Sequence, residues 1–224
     1  MSRFKLKNIT LLSLNCVDPI QSAKALLYSS KDIEFADMIL VSNKKPDNLP
    51  SNIKFFETKN STHSDSFKFA YEELPDLINT EFYLSIHDDG FIINPHLWDD
   101  NFLNYDYIGA PWKNYGQRNR VGNGGFVLKS NKFIQLTRNI KHLGGHDDGE
   151  LTNTYYDYFT SNGCTYAPVE VAMRFSLESK ISECQYSLEN CFGFHGRGIP
   201  TNGVHDGEYH QFQEKVKLLE TIKI

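Results

Sequence analysis

The first half of the chain alternates between short apolar runs and stretches with helical spacing. The apolar runs predict strands at residues 9–15, 35–42, 53–57 and 82–86. Residues 66–78 predict a helix, because apolar residues such as Phe67 and Tyr71 recur at helical spacing. Another helix is predicted to begin at Asp18-Pro19, since Asp18 can cap it and Pro19 suits its first position. Strands that alternate with helices predict a largely parallel sheet with helices on both faces.

The second half has a less regular pattern. It predicts a short helix from Asn94-Pro95 that holds Trp98 and Phe102. Further strands are expected at residues 105–108 and 125–128, helices at 130–140 and 150–161, an extended segment at 165–171 and an amphipathic tail at 208–222. We therefore expect an α/β fold with a mixed, mostly parallel sheet, to which the second half adds antiparallel strands.

Composition indicates one well-packed unit. The chain has 224 residues, of which 40% are hydrophobic and 13% aromatic, enough for a sizeable core. It contains no repeat, charge block or Ser/Gly linker, so residues 1–224 are expected to form a single domain. A net charge of −5 argues against nucleic acid and anionic membranes as partners. Local basic residues can still meet a small phosphorylated ligand: Lys113, Arg118, Arg120, Arg174 and Arg197.

Cysteine usage and hydropathy indicate the compartment. The four cysteines form no CxxC pair, which is typical of free thiols in a reducing compartment. The apolar part of residues 1–14 is shorter than a signal peptide requires, and no stretch approaches the length of a membrane span. We therefore expect a cytoplasmic protein without a transmembrane segment.

Polar residues follow two of the predicted strands. Asn15 and Asp18 follow the first, and His87, Asp88 and Asp89 follow the strand at 82–86. In open parallel sheets, ligands bind beyond the carboxyl ends of strands. Paired carboxylates there suit a divalent cation that bridges to phosphates, although an acidic pair before glycine is more often a solvated turn.

Two glycine-rich motifs add candidate groups. VGNGGF places Asn123, Gly124 and Gly125 where free backbone N–H groups and an amide can meet an anion or sugar hydroxyls. A hairpin turn is an equally good interpretation. HLGGHDDGE places Asp147 and Asp148 before a helix, which they can cap, or where one can act as a general base.

A histidine near the end of the chain is a further candidate. CFGFHGRG holds His195 between aromatic residues and glycines. The glycines suggest a pocket, where neutral imidazole can complete a coordination shell begun by carboxylates.

Several of these segments, taken in order, resemble a family of GT-A-like glycosyltransferases that is often described only as a domain of unknown function. The segments are SFKFAYEEL, HDDGFIINPHLWDDNFLNYDYIGAPW, VGNGGFVLKS, GHDDGELTN, YAPVEVAMRFSLES and FGFHG. YDYIGAPW followed by VGNGGF is the specific combination. The resemblance implies a GT-A (Rossmann-like) fold and a transferase that uses a nucleotide sugar, with UDP as the default nucleotide.

The resemblance also implies roles for single residues. Asp89 occupies the family's acidic position before glycine and is expected to bind a divalent cation, Mn²⁺ or Mg²⁺, and the diphosphate. His195 stands where these enzymes supply a late metal ligand. Asp88 is expected near the cofactor. Asp148 is the better candidate for the catalytic base and Asp147 the second, where the family usually has Glu-Asp.

The remaining expectations concern the donor and the reaction. Asn15 and Asp18 would face the nucleotide, and Lys113 or Arg197 would help to stabilise the departing diphosphate. Attack by an acceptor hydroxyl, deprotonated by Asp148, would invert the anomeric centre of the sugar.

The acceptor and two rival functions are also hypotheses at this point. The acceptor is expected to be a glycan or a lipid-linked glycan, as in polysaccharide biosynthesis. The rival hypotheses are a metal-dependent hydrolase and a non-catalytic protein that binds sugar nucleotides.

Overall fold

The computed structural model describes residues 4–59, 63–179, 181, 187–196 and 209–224. Within them, six strands form one mixed sheet in the order β3-β2-β1-β4-β6-β5. The strands are β1 (Phe4–Leu14), β2 (Ile33–Ser42), β3 (Lys54–Glu57), β4 (Phe82–Ile86), β5 (Tyr107–Ile108) and β6 (Phe126–Ser130). Strands β1 to β4 pair in parallel, and β6 pairs antiparallel with β4 and β5. The mostly parallel sheet and its antiparallel addition are both confirmed.

Helices cover both faces of this sheet. The α-helices are α1 (Pro19–Ser29), α2 (His63–Glu72), α3 (Leu74–Leu77), α4 (Asn131–Thr137), α5 (Asp147–Gly149), α6 (Tyr156–Ser161), α7 (Val169–Phe175) and α8 (Tyr209–Lys217). Short 3₁₀ segments occupy Pro95–Leu97, Asp100–Asn104 and Leu218–Thr221, and Glu150–Thr154 is a π-helix.

Alternate residues of the central strands enter different cores. Leu11 of β1 and Leu84 of β4 belong to the core that includes Leu26 of α1. Their neighbours Leu12 and Tyr83 belong to the core that includes Phe69 of α2. Side chains of a strand alternate between faces, and both faces are buried here, which explains why residues 9–14 of β1 (ITLLSL) are mostly apolar.

The structure confirms one helix start and divides a predicted helix. Asp18 Oδ1 accepts a hydrogen bond of 3.0 Å from the N–H of Gln21, so Asp18 caps α1. The helix predicted at 66–78 is divided into α2 and α3 at Glu73, two residues before Pro75. Proline has no N–H group, and its ring would clash with the preceding turn of a continuous helix.

Two predictions for the segment after β6 are correct only in part. Residues 150–161 are not one α-helix, because the Tyr155 N–H donates to the Glu150 carbonyl in the π-helix before α6. Residues 165–171 are extended only at their start, and α7 begins at Val169. Burial of Val171 and Phe175 on one helical face outweighs the strand preference of the local residues.

Two short strands near the end of the described residues form a second, small sheet. Strands β7 (Ser176–Leu177) and β8 (Gly193–Phe194) pair in parallel and lie beside the turn that follows β4. In the described part of the chain, no helix has the length and apolar character needed to cross a membrane.

Candidate functional site

A tight turn at the end of β4 holds the acidic pair. The His87 N–H donates to the Gly90 carbonyl at 3.0 Å, and the Gly90 N–H donates to the His87 carbonyl at 3.2 Å. Asp88 and Asp89 are therefore the central residues of a two-residue turn.

The two carboxylates of this turn have different partners. Asp88 is buried, and its Oδ1 accepts a hydrogen bond of 3.0 Å from Asn15 Nδ2 at the end of β1. Asp89 Oδ1 instead lies 3.6 Å from Nε2 of His195. Because the carboxylates have different partners, their mutual repulsion is relieved, and Asp89 is the one that shares a site with the histidine.

Backbone hydrogen bonds fix His195 beside this turn. The His195 N–H donates to the Leu177 carbonyl at 3.0 Å, and the Gly196 N–H donates to the Asp89 carbonyl at 2.8 Å. The histidine follows β8 directly, so its position depends on the pairing of β8 with β7.

Three side chains at this point have the donor set of a metal site. The potential ligand atoms of His87, Asp89 and His195 lie within 4.8 Å of one another, and all three residues are partly buried. A cation about 2.4 Å from each ligand atom fits donors at the upper end of these separations, and shorter bonds fit closer donors. Two imidazoles and one carboxylate suit a first-row cation such as Mn²⁺ better than Mg²⁺. The residues present therefore fit a divalent cation.

The electrostatics of His195 favour positive charge at this site. Burial opposes protonation of the imidazole, but its hydrogen bond to Glu178 and the charges of Asp89 and Glu178 raise its pKa to about 9. Glu178 Oε1 lies 2.9 Å from His195 Nδ1. A cation at Nε2 would take the place of the proton that this environment stabilises.

Glycine at position 125 makes room for the imidazole. A Cβ atom built on Gly125 would lie 2.1 Å from His195 Nε2, far inside van der Waals contact. At Gly90, a Cβ would lie 2.7 Å from the Gly125 carbonyl oxygen. These glycines are required by the close approach of three backbone segments.

Replacing Gly125 by Ala should displace His195. We expect the affinity for Mn²⁺ to fall at least about tenfold, because one ligand loses its position. Isothermal titration with Mn²⁺ measures this change. Gly149→Ala is the matched control, since Gly149 is helical and its Cβ would meet nothing within 4 Å. Equal Mn²⁺ affinity in the two variants would contradict the assignment of His195 as a ligand.

The VGNGGF motif uses its polar groups within the protein. Asn123 is fully buried with a φ of 74°, and its Oδ1 accepts from the N–H groups of Gly125 at 2.8 Å and Phe126 at 3.3 Å. The Gly124 N–H donates to Asp148 Oδ2 at 3.2 Å. The expectation that these glycine N–H groups are free for a ligand is therefore wrong. Instead, the glycines allow the neighbouring side chains to approach.

Asp148 contacts the first glycine of this pair, Gly124, whereas His195 lies against the second, Gly125. Besides its bond from Gly124, its Oδ1 accepts a hydrogen bond of 2.7 Å from the Gly149 N–H. Burial, followed by the charges of Asp147 and Glu178, raises the pKa of Asp148 to about 6. A carboxylate with this pKa can accept a proton near neutral pH.

Asp147 has a different environment from Asp148. It is buried, and its Oδ2 lies 3.8 Å from Nζ of the buried Lys129 on β6. A Cβ on Gly124 would lie 2.7 Å from Asp147 Oδ1, so glycine at 124 permits this position. Both aspartates lie in the first turn of α5, whose N-cap residue is His146, so neither is the N-cap.

The remaining candidates are two polar residues after β1 and two basic residues. Asn15 Oδ1 accepts hydrogen bonds from the N–H groups of Val17 and Asp18, so the two predicted nucleotide-facing residues also shape the loop after β1. Lys113 is partly buried at the start of the loop that precedes VGNGGF. Arg197 lies outside the described residues.

A comparison with known families finds one match over most of the chain. The family described as "Protein of unknown function (DUF5672)" matches residues 49–195. The chain belongs to this family. A comparison with curated protein sequences finds no significant match.

Similar solved structures share the fold of this DUF5672 protein. They include the glycosyltransferase GlyE of Streptococcus pneumoniae TIGR4, with a TM-score of 0.51 and 11% identity over 96% of the chain. The apo form of GlyE gives a TM-score of 0.50, also with 11% identity over 96% of the chain. The chain spans 60% of the length of these GlyE chains. A mannosyltransferase from Pyrobaculum calidifontis, in complex with GDP-Man and Mn²⁺, has a TM-score of 0.48 and 9% identity, covering 73% of this chain and 55% of that one. The likeness to GlyE shows that the chain shares the fold of that glycosyltransferase.

The match to DUF5672 encloses most of the site. Residues 49–195 include both acidic pairs, the glycine motif and His195, whereas Asn15 and Asp18 precede them and Arg197 follows them.

For three residues of this DUF5672 protein, sequence reasoning missed the role: it placed His87 at a ligand-binding strand end without a metal role, and it did not single out Glu178 or Lys129. His87 belongs to the metal cluster, and the centroid of its ring lies 5.5 Å from the centroid of the His195 ring. Glu178 reaches His195 across a separation of 17 residues. Lys129 has a local signal that could have found it, since it is a lysine inside the apolar strand FVLKS.

Removing the Lys129 ammonium should destabilise the DUF5672 chain. Lys129→Met leaves the Asp147 carboxylate buried without its cation, and we expect the free energy of unfolding to fall by about 3 kcal/mol. Urea denaturation measures the loss, and adding Asp147→Asn should recover most of it. Lys132→Met is the control, because that side chain is 50% exposed. Equal stability of Lys129→Met and Lys132→Met would contradict this description of the pair.

Proposed function

We propose that the chain is a metal-dependent glycosyltransferase that moves a sugar from a nucleotide-diphosphate sugar to an acceptor hydroxyl. The observation that carries this proposal is the position of two groups beside the adjacent residues Gly124 and Gly125. A cluster fit for a divalent cation lies against Gly125, and a carboxylate with a raised pKa accepts a hydrogen bond from Gly124. The GlyE-like fold is consistent with this activity.

In this proposal, the cation cluster binds the donor. His87, Asp89 and His195 would hold Mn²⁺, or Mg²⁺ with lower preference. When bound, the cation would supply positive charge that stabilises the departing nucleoside diphosphate. Lys113 and Arg197 are proposed to add charge around the phosphates.

Asn123 is proposed as a donor to the bound sugar nucleotide. Its Oδ1 is fixed by two backbone N–H groups, which also fixes the direction of its Nδ2. That Nδ2 is buried and has no hydrogen-bond partner among the described residues. A buried donor without a partner costs free energy, and a ligand oxygen would satisfy it.

Asp148 would act as the general base. It would accept the proton of the acceptor hydroxyl as that oxygen attacks the anomeric carbon on the face opposite the diphosphate. Such attack inverts the anomeric centre. Asp147 is the weaker candidate, because its carboxylate is already paired with the Lys129 ammonium.

The finer features of the proposal follow from the fold class and from the position of residues at strand ends. UDP is the default nucleotide, and Asn15, Asp18 and Asp88 would face it at the ends of β1 and β4. The acceptor would be a glycan or a lipid-linked glycan in polysaccharide biosynthesis, and the reaction would take place in the cytoplasm.

Thermal-shift measurements with UDP-, GDP- and dTDP-sugars, each with and without Mn²⁺, test the proposed function. Binding to the folded state raises Tm, so we expect a rise with one nucleotide that depends on Mn²⁺. Product analysis by NMR with the stabilising donor and candidate acceptors should then show an inverted glycoside. Fast release of free sugar without any acceptor would favour a hydrolase, and no stabilisation by any sugar nucleotide would contradict the proposal.

Activity should depend on the ionisation of Asp148. The base must be deprotonated, and the pKa of Asp148 is about 6, so kcat/KM should fall as the pH decreases through about 6. Initial rates between pH 5 and pH 8 at saturating Mn²⁺ measure this dependence. A profile that is flat across this pH range would exclude Asp148 as the base.

A further inference from the structure

A chain of hydrogen bonds leads from the metal cluster to an indole ring. Trp112 Nε1 donates to Glu178 Oε2 at 2.6 Å, and Glu178 Oε1 lies 2.9 Å from His195 Nδ1. Each oxygen of the Glu178 carboxylate thus has its own partner. The Glu178 side chain is only 11% exposed, so water contributes little to its orientation.

This arrangement determines which histidine nitrogen faces the cation. An imidazole that donates from Nδ1 to a carboxylate presents Nε2 as its lone-pair donor. His195 Nε2 is the atom on the side of Asp89, at 3.6 Å from Oδ1. In known metal sites, a carboxylate on the far nitrogen orients the ring and raises the basicity of the ligand.

The position of the indole is also fixed by the backbone. A Cβ on Gly122 would lie 1.9 to 2.3 Å from atoms of the Trp112 ring. The Trp112 N–H donates to the Arg120 carbonyl at 2.7 Å, and the Gly122 N–H donates to the Ala110 carbonyl at 3.0 Å. The first glycine of VGNGGF therefore lets the indole lie flat against the backbone, where it reaches Glu178.

We propose that Glu178, held by Trp112, is a positioning residue that orients His195 toward the cation. This inference rests on the metal-binding part of the proposed function. This inference also explains the glycine at position 122, because only glycine leaves room for the Trp112 ring. Glu178 acts through His195 and does not itself coordinate the cation.

The affinity for Mn²⁺ alone tests this role in the full-length chain. The EPR signal of free aqueous Mn²⁺ measures the dissociation constant without any substrate. We expect Glu178→Gln to raise the Kd about 10- to 100-fold. Trp112→Phe and Gly122→Ala should raise it by smaller factors, because both leave the Glu178 carboxylate in place. Glu170→Gln, which removes an exposed charge from α7, should leave the Kd unchanged.

A spectroscopic measurement separates positioning from general damage to the fold. At saturating Mn²⁺, electron spin echo envelope modulation of the wild type should show ¹⁴N coupling from imidazole ligands. We expect that coupling to weaken in Glu178→Gln while the circular dichroism spectrum and Tm stay close to those of Glu170→Gln. If Trp112→Phe and Gly122→Ala leave the Kd unchanged while Glu178→Gln abolishes binding, Glu178 is a direct ligand and the inference is wrong.

Two further outcomes distinguish this inference from the proposed function. If the wild type binds Mn²⁺, His195→Gln does not, and Glu178→Gln binds as tightly as the wild type, the positioning role is wrong and the metal site stands. If the wild type itself does not bind Mn²⁺ in the presence or absence of sugar nucleotide, the metal-dependent function is overturned together with the inference.

Discussion

Asp148→Asn should lower kcat by about 10²- to 10⁴-fold, which is the usual contribution of a general base. The amide keeps the shape of the side chain and one oxygen, which can accept from the N–H group of either Gly124 or Gly149, but it cannot accept the acceptor proton. Steady-state transfer rates, with Mn²⁺ and donor saturating, measure the loss. The affinity for Mn²⁺ should stay close to the wild-type value, because Asp148 lies outside the cluster of His87, Asp89 and His195.

The same substitution should increase stability at neutral pH. The folded pKa of Asp148 is raised from 3.8 to about 6, so the folded state favours the protonated form. Stability is therefore lost as the pH rises from about 4 to about 6, and the ionised carboxylate costs free energy above that range. A neutral amide avoids most of this cost but leaves one N–H group without its acceptor. We expect a net gain of about 1–2 kcal/mol at pH 7.5 that disappears near pH 4.

The control for this experiment is Asp32→Asn, which removes an exposed carboxylate. It should change neither the transfer rate nor the difference in Tm between pH 4 and pH 7.5. A transfer rate of Asp148→Asn within a few-fold of the wild type would exclude Asp148 as the base. If the protein only binds sugar nucleotides, Asp148→Asn should leave the donor affinity unchanged, and neither the wild type nor Asp148→Asn should transfer sugar.

Asp89→Asn should nearly abolish both Mn²⁺ binding and transfer. Asp89 supplies the carboxylate of the proposed cluster, and a neutral amide is a weaker ligand for the cation. We expect kcat to fall at least about 100-fold. Mn²⁺ titration followed by EPR and transfer assays at increasing Mn²⁺ measure the two effects.

Asp88→Asn is the matched comparison, because it removes the same charge from the adjacent residue. Asp88 accepts a hydrogen bond from Asn15, and an amide oxygen can still accept it. Mn²⁺ affinity should therefore change by less than about threefold. If both variants lost Mn²⁺ affinity equally, the net charge of the turn would determine binding, and Asp89 would not be a specific ligand.

The fold could be predicted largely from local patterns. Strands β1 to β4 are apolar runs bounded by polar residues, and Asp18-Pro19 has the chemistry of a helix start, so local sequence determines them. The segment at 165–171 could not be predicted this way, because its helix is determined by burial of Phe175 and its neighbours in a core made by distant residues.

The candidate site was predictable only in part, for a geometric reason. Asp89, Asp148 and His195 stand next to glycines in the sequence, and this pattern identified them as candidates. His87 and Glu178 have no such signal. His87 enters the cluster through a turn that reverses the chain within two residues, and Glu178 through a contact between segments 17 residues apart. Side-chain directions of this kind follow from tertiary packing.

The glycine motif illustrates the same limit. Sequence alone leaves open whether VGNGGF binds a ligand or forms a turn, because glycine permits both. In the folded chain, Gly122, Gly124 and Gly125 lie against the side chains of Trp112, Asp147 and His195. Each glycine is explained by one neighbour that local sequence cannot identify.

Anomalous diffraction from crystals grown with Mn²⁺ and UDP tests the central claim most directly. At the manganese absorption edge, we expect one strong peak about 2.0–2.4 Å from an oxygen of Asp89 and from Nε2 of His195, with His87 as a further ligand and the UDP diphosphate on the open side. A manganese peak elsewhere on the molecule, or UDP bound without any metal between its phosphates and these residues, would contradict the account.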